Sequence, residues 1–469
     1  MTGTWEDLIR GGHWRSPDTV WVEDGSEHSW RQVDEVASEV AATIRAHPGV
    51  RVVHLRSDSK LGCFAGQLGA WRAGCVAIAD DGNLGPAELD HVRPDLAVSV
   101  DRAGATAAGA PGGPLPADRL PAEVVTVNFT SGTTGSRRAV AVTSENLLAL
   151  ARCRDLAVPR SGARPVAGSF ATPTYDGWWF DTWRTVADGG TVVCLPDMNE
   201  DVFDWPELTR AYGIDRVLLP AAVVVTLVEA APECVADVPW LFSGGEQFQA
   251  STYRQARRAG LTGRLVNLYG PTEATFATHG YRLPEPFTGS AVPIGRPIEG
   301  CRQTLRHLGG PDGGSELVVS GPLVCLGYLE RGTVARRFTG GDGQPSFRTG
   351  DVVRPDEDGN LVFIGRLDNQ IKVNGMRVDA AALEHHVTSL SDVVACRIVQ
   401  DGQRTVAFVL TTGSPGAPAT LSRIESVVTR FSPAITVRLV DRFPTQPGGK
   451  VDTTSLMDQH RVTDKGGQS

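Results

Sequence analysis

Lysine is the scarcest charged residue of this 469-residue chain. The sequence holds 41 arginines but only four lysines, at positions Lys60, Lys372, Lys450 and Lys465, so each lysine is a candidate for a task that arginine performs poorly. The formal net charge of −9 disfavours a general nucleic-acid or anionic-membrane surface, because both require a basic face. The length is about three times that of a ~150-residue domain and predicts more than one compact unit.

Cysteine motifs and long apolar runs are also missing. The eight cysteines form no CxxC pair and no CxxH spacing, which gives no indication of a zinc knuckle or a disulfide framework and is typical of a reducing compartment. The longest apolar run, Val217 to Val228, is interrupted by Pro220 and Thr226 and falls short of the ~18 residues that cross a bilayer. The start, MTGTWEDLIR, has no apolar signal-peptide core. We therefore expect a cytoplasmic protein without a membrane partner.

Two patterns alternate through most of the chain. Short β-branched runs occur at Val124 to Phe129, Val166 to Phe170, Thr191 to Leu195 and Arg216 to Leu219. Amphipathic stretches occur at Ser144 to Leu156 and Ala250 to Ala259. The alternation predicts α/β layers with largely buried strands. Two stretches break it: Asp101 to Pro121, rich in Ala, Gly and Pro, predicts a surface linker, and Thr339 to Pro345 predicts a Gly-rich loop.

The pattern restarts near Asp368. A strand-like IKV is followed by a helix signal from Asp379 to Leu390 and by strand signals at Val393 to Val399 and Thr405 to Thr411. We expect a small C-terminal unit of about one hundred residues.

The most informative segment is VVTVNFTSGTTGSRRAVAVTSENL, residues 124–147. A β-rich run leads into small residues and glycines whose backbone amides and hydroxyls can surround phosphate oxygens. The spacing lacks GxxxxGK[ST], which excludes a Walker loop. Taken alone, a loop of this composition is better explained as a Ser/Thr/Gly surface turn. The residues of this candidate phosphate loop are Thr130, Ser131, Gly132, Thr133, Thr134 and Gly135.

Further motifs follow in order along the chain. The segment NLYGPTE, residues 267–273, combines an aromatic face for a purine, a rigid turn, a hydroxyl for phosphate and a carboxylate suited to Mg²⁺. The segment FRTGD, residues 347–351, offers a carboxylate for ribose hydroxyls. GRLDNQIK, residues 365–372, and PTQPGGKVD, residues 444–452, complete the set. Each motif on its own is compatible with a structural turn.

Together the five motifs resemble the adenylate-forming (ANL) superfamily, and most closely the amino-acid adenylation domains of nonribosomal peptide synthesis. The resemblance extends from SWRQVDEVASEVA near Ser29 to the C-terminal lysine loop. It implies a large N-terminal domain of α/β layers with a barrel-like part, residues 1–367, and a small mobile α+β domain, residues 368–469, with a hinge at Asp368. It also implies ATP and Mg²⁺ as cofactors, conversion of a carboxylate to an acyl-adenylate with release of pyrophosphate, and transfer of the acyl group to a thiol.

The resemblance assigns roles residue by residue. Thr272 would contact the α-phosphate, Glu273 would bind Mg²⁺ and Lys450 would bridge the substrate carboxylate and the phosphate as charge develops. Lys372 and Gly375 would face the thiol. The nucleotide-binding set comprises the phosphate loop Thr130 to Gly135 together with Gly244, Gly245, Glu246, Asn267 and Tyr269 for adenine and Asp351 and Arg366 for ribose.

The phosphate loop departs from the family pattern. The family continues xPKG, whereas here Gly135 is followed by Ser136, Arg137, Arg138 and Ala139. Arg138 stands at the position of the family lysine and retains a positive charge near the leaving pyrophosphate. The loss of Pro and Gly predicts altered loop mobility and slower turnover without loss of the reaction.

The family's acyl pocket begins at an aromatic-Asp pair, here Tyr175 and Asp176. The Asp176 carboxylate would pair with a substrate α-ammonium, although an Asp-Gly turn explains the pair equally simply. The other lining positions are all apolar and predict an apolar substrate side chain, first a small to medium aliphatic one and second an aromatic one. They are Gly177, Phe180, Leu218, Phe242, Gly244, Leu268, Phe276 and Ala277.

The partners follow from what the chain does not contain. It has no HHxxxDG condensation motif and no room after Asp452 for a carrier domain, so we expect a separate peptidyl carrier protein with a phosphopantetheine thiol. The family also makes an MbtH-type helper conceivable. Two alternatives are an acyl- or aryl-CoA ligase of the same superfamily, which Asp176 disfavours, and a catalytically silent nucleotide-binding protein, which Lys450 and Glu273 disfavour.

Overall fold

The computed structural model describes residues 19–101, 104–109, 119–130, 137–158, 164–198, 201–308, 314–341, 343–367, 370–373, 376–401, 404–412, 418–432, 434–446 and 451–458. The strands are β1 (Thr19–Glu23), β2 (Ser26–Ser29), β3 (Val52–Arg56), β4 (Val76–Asp80), β5 (Leu96–Asp101), β6 (Gly104–Gly109), β7 (Val124–Phe129), β8 (Ala139–Thr143), β9 (Val166–Ser169), β10 (Thr191–Cys194), β11 (Arg216–Pro220), β12 (Trp240–Gly244), β13 (Arg264–Tyr269), β14 (His279–Arg282), β15 (Arg296–Pro297), β16 (Arg302–His307), β17 (Ser315–Ser320), β18 (Gly327–Glu330), β19 (Thr333–Arg337), β20 (Ser346–Pro355), β21 (Leu361–Arg366), β22 (Gln370–Val373), β23 (Met376–Asp379), β24 (Val393–Asp401), β25 (Arg404–Thr411) and β26 (Ile435–Leu439).

The helices lie between these strands. They are α1 (Trp30–Arg45), α2 (Lys60–Arg72), α3 (Pro86–Val92), α4 (Ser144–Arg152), α5 (Arg184–Ala187), α6 (Trp205–Tyr212), α7 (Ala221–Ala230), α8 (Glu233–Ala236), α9 (Ala250–Arg258), α10 (Ala380–Thr388) and α11 (Pro418–Phe431). Single 3₁₀ turns occur at Arg154–Leu156, Val202–Asp204 and Thr272–Ala274, and a π-helical turn at Trp179–Trp183. In the described part of the chain, every helix is too short or too polar to cross a membrane.

A nine-stranded sheet, in the order β15-β14-β13-β12-β11-β9-β10-β1-β2, organises the site. Its strands from β1 through β10, β9, β11 and β12 to β13 pair in parallel. The C-terminal ends of parallel strands lie at one edge of a sheet, where α/β proteins place their ligands. The segments that follow β9, β12 and β13 therefore leave the sheet at the same edge, and they carry Asp176, Glu246 and Glu273.

An eight-stranded sheet supports the phosphate loop. Its order is β19-β18-β8-β7-β4-β3-β5-β6, and β7 and β8 form the antiparallel pair that the candidate phosphate loop connects. Strand β18, from much later in the chain, pairs with β8 so that Tyr328 lies opposite Val140. The pairing places residues 327–329 next to the start of β8.

The predicted linker is wrong over Gly104–Gly109. These residues form β6, an edge strand that pairs with β5 in antiparallel register. The Ala105 amide also donates to Glu39 Oε1 at 3.0 Å, which ties the strand to α1. A segment of small residues can form an edge strand when a neighbouring strand supplies its backbone hydrogen bonds. The composition of the segment gives no information about that neighbouring strand.

The other predicted elements are confirmed, with ends shifted by a few residues. The helix predicted over 144–156 is α4 followed by a separate 3₁₀ turn, and the one predicted over 250–259 is α9. Strands β9, β10 and β11 begin at the predicted residues. The α/β fold class is thus confirmed, and its barrel-like part is the antiparallel sheet β16-β17-β20-β21, which does not close into a barrel within the described residues.

The C-terminal elements also match the predicted restart. They are the pair β22-β23 and the sheet β24-β25-β26, with α10 and α11 packed on a shared apolar core. The hinge residue Asp368 lies outside the described residues, and the division at 367/368 stays a prediction. The start of β24 contacts the large sheet's helix layer, where the Ser251 hydroxyl donates to the Val394 carbonyl at 3.1 Å.

An aromatic core lies beneath the segment that carries Asp176. Trp178 and Trp183 both donate through Nε1 to Gln67 Oε1, at 2.8 and 2.9 Å. Phe64 packs on Trp183 with ring centroids 4.3 Å apart and on Trp21 at 5.1 Å. A buried amide that satisfies two indoles fixes the first turn after Asp176.

Candidate active site

The base of the phosphate loop is closed by two hydrogen bonds. The Thr130 amide donates to the Arg138 carbonyl at 2.9 Å, and the Arg138 amide donates to Thr130 Oγ1 at 3.1 Å. Both ends of the loop are therefore fixed on the β7-β8 pair. The intervening residues Ser131, Gly132, Thr133, Thr134 and Gly135 lie outside the described residues, and their phosphate contacts stay a prediction.

The two arginines that depart from the family pattern each rest on a tyrosine. The Arg138 guanidinium lies over the Tyr328 ring, with Cζ 4.9 Å from the ring centroid. Arg137 Nη2 donates to the Tyr175 hydroxyl at 3.3 Å, and its Cζ lies 5.5 Å from that ring. A planar guanidinium gains from such stacking in a way that an ammonium does not. The base of the altered loop is thus anchored to two other parts of the site.

Glu273 lies in the 3₁₀ turn Thr272–Ala274, which is hydrogen-bonded to the segment before β18. The Cys325 amide donates to the Glu273 carbonyl at 2.9 Å, and Thr275 Oγ1 donates to the Leu323 carbonyl at 2.7 Å. The Tyr328 hydroxyl donates to Glu273 Oε1. Burial and the adjacent Glu273 carboxylate raise the pKa of Tyr328 well above its usual range, so Tyr328 stays protonated as the donor.

A cavity of about 300 Å³ opens beside Glu273. Four arginine side chains and two carboxylates, Glu273 and Glu316, border it, and the excess of positive charge favours an anionic occupant such as a polyphosphate. Glu273 is partly exposed there, and the described residues contain no cluster of three or more carboxylate, histidine or cysteine side chains that would form a complete metal cage. The lining residues are Arg138, Pro271, Glu273, Glu316, Tyr328, Arg336, Phe347, Arg348, Thr349, Gly350 and Arg366.

Three residues predicted for adenine and ribose form one chain of contacts. Arg366 Nη1 lies 2.7 Å from Asp351 Oδ1, and the Tyr269 hydroxyl donates to Asp351 Oδ2. Asp351 and Arg366 are directly opposite in the β20-β21 register. Burial and the Asp351 carboxylate raise the pKa of Tyr269 well above its usual range. The structure therefore brings Tyr269, Asp351 and Arg366 together, beside the cavity that Arg366 lines.

Two other residues predicted for adenine make side-chain contacts with protein groups, and their adenine contacts stay a prediction. The buried Asn267 amide donates to the Pro293 carbonyl at 2.8 Å. Glu246 Oε1 accepts from the Val451 amide at 3.2 Å and lies 3.8 Å from Arg397 Nη2, so its carboxylate faces the C-terminal segment. Gly244 and Gly245 present backbone instead, and a Cβ on Gly244 would lie 3.1 Å from the Leu268 carbonyl oxygen.

The predicted side-chain pocket assembles from distant parts of the sequence. A Cβ placed on Gly177 would lie 3.2 Å from Leu218 Cδ2 and 3.9 Å from Phe276 Cε2. The Phe180 ring lies 4.9 Å from that of Phe242 and 5.5 Å from that of Phe276. Leu268 and Ala277 belong to the same buried apolar cluster. All lining residues that the sequence predicted thus lie in one region.

Asp176 adjoins this pocket through Gly177. It is half-buried, and none of the described residues hydrogen-bonds to its carboxylate, while its main-chain carbonyl accepts from the Trp179 amide at 3.1 Å. Burial raises the pKa of the Cys325 thiol to about 12, and the Glu273 and Asp176 carboxylates add to this shift. Phe276, which lines the pocket at Gly177, follows Glu273 by three residues, so the amino-acid pocket lies beside the turn that carries Glu273.

Several predicted residues lie outside what is described. Lys450, Asp368 and Gly375 are among them, and of Lys372 only the backbone is described, within β22. Their roles stay predictions.

Sequence reasoning missed Tyr328 and gave Lys60 no role. Tyr328 is 55 residues from Glu273 and stands in no Gly-rich or charged motif. The strand-like GYLE segment around it predicts a strand and gives no indication of a role in the site. Lys60 Nζ donates to the Ser169 carbonyl at 2.8 Å and to the Phe170 carbonyl at 3.3 Å, where β9 leads into the segment of Asp176. The scarcity of lysine was the signal for Lys60.

Comparison with known proteins agrees with this geometry. Residues 94–329, half of the chain, match the sequence model of the family described as AMP-binding enzyme. The chain belongs to the AMP-binding enzyme family. The resemblance inferred from the motifs is thereby confirmed.

Relatives within this family carry names from nonribosomal peptide synthesis. The chain is 30% identical over 96% of its length to a probable non-canonical nonribosomal peptide synthetase, CymA, of Salinispora arenicola, and spans 6% of that protein. It is 30% identical over 71% of its length to the L-allo-isoleucine:holo-[CmaA peptidyl-carrier protein] ligase of Pseudomonas savastanoi pv. glycinea, and spans 58% of that protein. The chain thus spans less than two thirds of either relative.

A solved structure supports the fold. Klebsiella oxytoca NpsA in complex with 3-hydroxyanthranilyl-AMSN superposes with a TM-score of 0.80 at 17% sequence identity. The match covers 98% of this chain and 100% of that one.

Proposed function

We propose that this protein activates an α-amino acid with a small to medium aliphatic side chain as its aminoacyl-adenylate. It then transfers the aminoacyl group to the phosphopantetheine thiol of a separate carrier protein. The observation that carries the choice of substrate is the half-buried Asp176 carboxylate beside a pocket of apolar side chains. A carboxylate in this position pairs with an α-ammonium group, which fatty and aryl acids lack.

In the first half-reaction, an oxygen of the amino-acid carboxylate attacks the α-phosphorus of ATP. The bond from that phosphorus to the bridging oxygen breaks, and pyrophosphate leaves with the oxygen. Such an in-line displacement depends on positioning and charge neutralisation. Arg138 and Arg336 of the cavity balance the phosphate charge, Thr272 contacts the α-phosphate, and Lys450 bridges the substrate carboxylate and the phosphate. Tyr269, Asp351 and Arg366 hold the nucleoside.

The donor set suits Mg²⁺. This ion characteristically takes one or two protein carboxylates and completes its shell with substrate phosphates and water, and Glu273 supplies one carboxylate at the arginine-lined cavity. Bound there with ATP, Mg²⁺ would neutralise charge on the phosphate oxygens.

In the second half-reaction, the carrier thiolate attacks the acyl carbon, the acyl–phosphate C–O bond breaks, AMP leaves, and the thiol proton passes to solvent. We place Lys372 and Gly375 on the thiol side. The large unit, residues 1–367, holds ATP and the amino acid, and the small unit, residues 368–469, moves about a hinge at Asp368 between the two half-reactions.

The test is amino-acid-dependent ATP/pyrophosphate exchange by the purified chain, with and without an MbtH-type helper. The panel contains the proteinogenic amino acids, branched and unusual aliphatic ones, and aryl acids such as anthranilate. We expect the strongest exchange with an aliphatic amino acid. Strongest exchange with a charged or amide side chain would overturn the apolar pocket, and exchange with aryl acids alone would replace the proposal by an aryl ligase. No exchange under any condition, with ATP binding retained, would identify a catalytically silent nucleotide-binding protein.

A further inference from the structure

Tyr328 touches two residues of the site with two different parts of its side chain. Its hydroxyl donates to Glu273 Oε1, and its ring carries the Arg138 guanidinium at 4.9 Å. Tyr328 therefore lies between the candidate metal carboxylate and the cation that replaces the family lysine. All three side chains line the cavity beside Glu273.

The fold fixes Tyr328 from several directions. In the β8-β18 register it stands opposite Val140, two residues after Arg138. Just before β18, the Cys325 amide donates a hydrogen bond to the Glu273 carbonyl at 2.9 Å. The Phe338 ring meets the Tyr328 ring edge-on, with centroids 4.7 Å apart and an interplanar angle of 89°. A ring held by strand pairing and by an aromatic neighbour has little rotamer freedom, so its hydroxyl and its face point in set directions.

Arginine and lysine at position 138 would interact differently with the Tyr328 ring. A guanidinium stacks flat on a tyrosine face, whereas an ammonium is a compact point charge on a flexible stem. Arg138 is exposed, so without a support its side chain would sample many rotamers. The Tyr328 ring supplies that support in a loop that lacks the family's Pro and Gly.

We propose that Tyr328 is a positioning residue for the nucleotide site. Its hydroxyl orients the Glu273 carboxylate, which would hold Mg²⁺, and its ring supports the Arg138 guanidinium, whose charge would face the phosphates. The proposal rests on the proposed function for the identity of MgATP as the ligand. It predicts that arginine is the better residue at position 138 of this chain, although the family pattern has lysine there.

The experiment measures binding as well as turnover in the full chain. Calorimetric titrations with ATP are run in EDTA and at increasing MgCl₂, alongside ATP/pyrophosphate exchange. In Tyr328→Phe, which keeps the ring and removes the hydroxyl, the half-saturating Mg²⁺ concentration should rise about tenfold, as expected for one lost hydrogen bond to a charged group. The affinity for ATP in EDTA should change less than about twofold, since the Arg138 stack remains.

A second variant tests the ring independently at an exposed position. Arg138→Lys should weaken ATP binding about two- to fivefold both in EDTA and in Mg²⁺, which corresponds to one exposed cation–π contact. In a Tyr328→Leu background, Arg138→Lys should have no further effect, because the stacking partner is already gone. The matched controls are Tyr281→Phe, in β14, and Arg264→Lys, whose guanidinium stacks on Trp240 at 5.2 Å, and both should bind like the parent.

Each outcome decides a separate point. An unchanged Mg²⁺ dependence in Tyr328→Phe, or equal ATP binding by Arg138→Lys, would overturn this inference while the proposed function stands. Equal weakening in EDTA and in Mg²⁺ by Tyr328→Phe, with a lowered melting temperature, would show a structural role only. A parent that binds MgATP with the expected variant pattern but shows no exchange would overturn the proposed function alone. A parent that binds no ATP would overturn both.

Discussion

Asp176→Asn is the substitution that most directly tests how the protein selects an amino acid. The asparagine keeps the size and planarity of the side chain and removes its negative charge. A hydrogen bond between charged groups contributes roughly 1.5–3 kcal/mol, and Asp176 is half-buried with no competing partner among the described residues, so water screens it only in part. At 1.36 kcal/mol per tenfold change, the expected loss in kcat/KM is about 10- to 150-fold.

The assay compares two substrates with the same side chain. ATP/pyrophosphate exchange is measured with the preferred amino acid and with the carboxylic acid that lacks its α-amino group. The parent should favour the amino acid by the factor given above, and Asp176→Asn should lose that preference while its rate with the deaminated acid stays the same. Asp90→Asn, at an exposed carboxylate 3.4 Å from Arg93, is the matched control.

Two results would refute the reasoning. Retention of the parent's kcat/KM for the amino acid within about twofold would show that the carboxylate does not pair with the ammonium. An equal loss with both substrates would show that Asp176 only shapes the turn before Trp179, as an ordinary Asp-Gly turn would.

Three further predictions concern pH, the proposed catalytic residue Lys450 and the half-buried Lys60. Burial lowers the pKa of His279 to about 4, so its contribution to stability is present above pH 6.5 and is lost as the pH falls to about 4. At 1.36 kcal/mol per pKa unit this contribution is about 3 kcal/mol. When the free energy of unfolding in urea is measured between pH 6.5 and pH 4, His279→Gln should lack this part of the pH dependence. Lys450→Arg should reduce exchange about 100-fold or more with an unchanged melting temperature, because a guanidinium is bulkier and directional, and near-parent exchange would show that any cation suffices. Lys60→Met should lower the free energy of unfolding in urea by about 1–3 kcal/mol, since the Ser169 and Phe170 carbonyls lose their donor, and an unchanged midpoint would contradict this.

The sequence predicts the parts of the site that consist of short motifs. Asp351 and Arg366 stand in separate motifs, and β20-β21 pairing places them opposite each other at 2.7 Å. Gly177, Leu218 and Phe276 were predicted as neighbours from the family pattern, and a Cβ on Gly177 would contact both other residues. For Asp351 and Arg366 the antiparallel β20-β21 register brings the two motifs together. For the pocket residues, the parallel strands of the nine-stranded sheet deliver their loops to one sheet edge.

The contacts that the sequence did not predict are long-range and carried by single side chains. Tyr328 reaches Glu273 only because β18 pairs with β8, and no local pattern announces that pairing. Glu246 is predicted to hold adenine together with Gly244 and Gly245, and that role stays a prediction. The contacts of its carboxylate with Val451 and Arg397 were not predicted, because they depend on how the C-terminal segment packs. The edge strand β6 was predicted as a linker because its residues are small, and its hydrogen bonds come from β5. In each case the partner decides the structure.

The environment of the buried Asp181 is another feature of the site that the sequence does not predict. Burial raises the pKa of Asp181 to about 7, and the nearby Lys60 ammonium opposes this shift. Asp181 Oδ2 accepts from the Ala171 amide at 3.0 Å, so this aspartate helps to hold the segment between β9 and Asp176. The sequence shows an acidic residue in an aromatic run, and only the packed structure shows what it supports.

We propose above that this chain forms an aminoacyl-adenylate from an apolar amino acid. This proposal is tested most directly by incubating the purified chain with MgATP and an aliphatic amino acid in the absence of any thiol and detecting the enzyme-bound product by mass spectrometry. We expect one aminoacyl-AMP per active chain, formed together with one pyrophosphate and discharged when a phosphopantetheinylated carrier is added. Release of ADP and phosphate, or AMP and pyrophosphate formation that is independent of the amino acid, would contradict it.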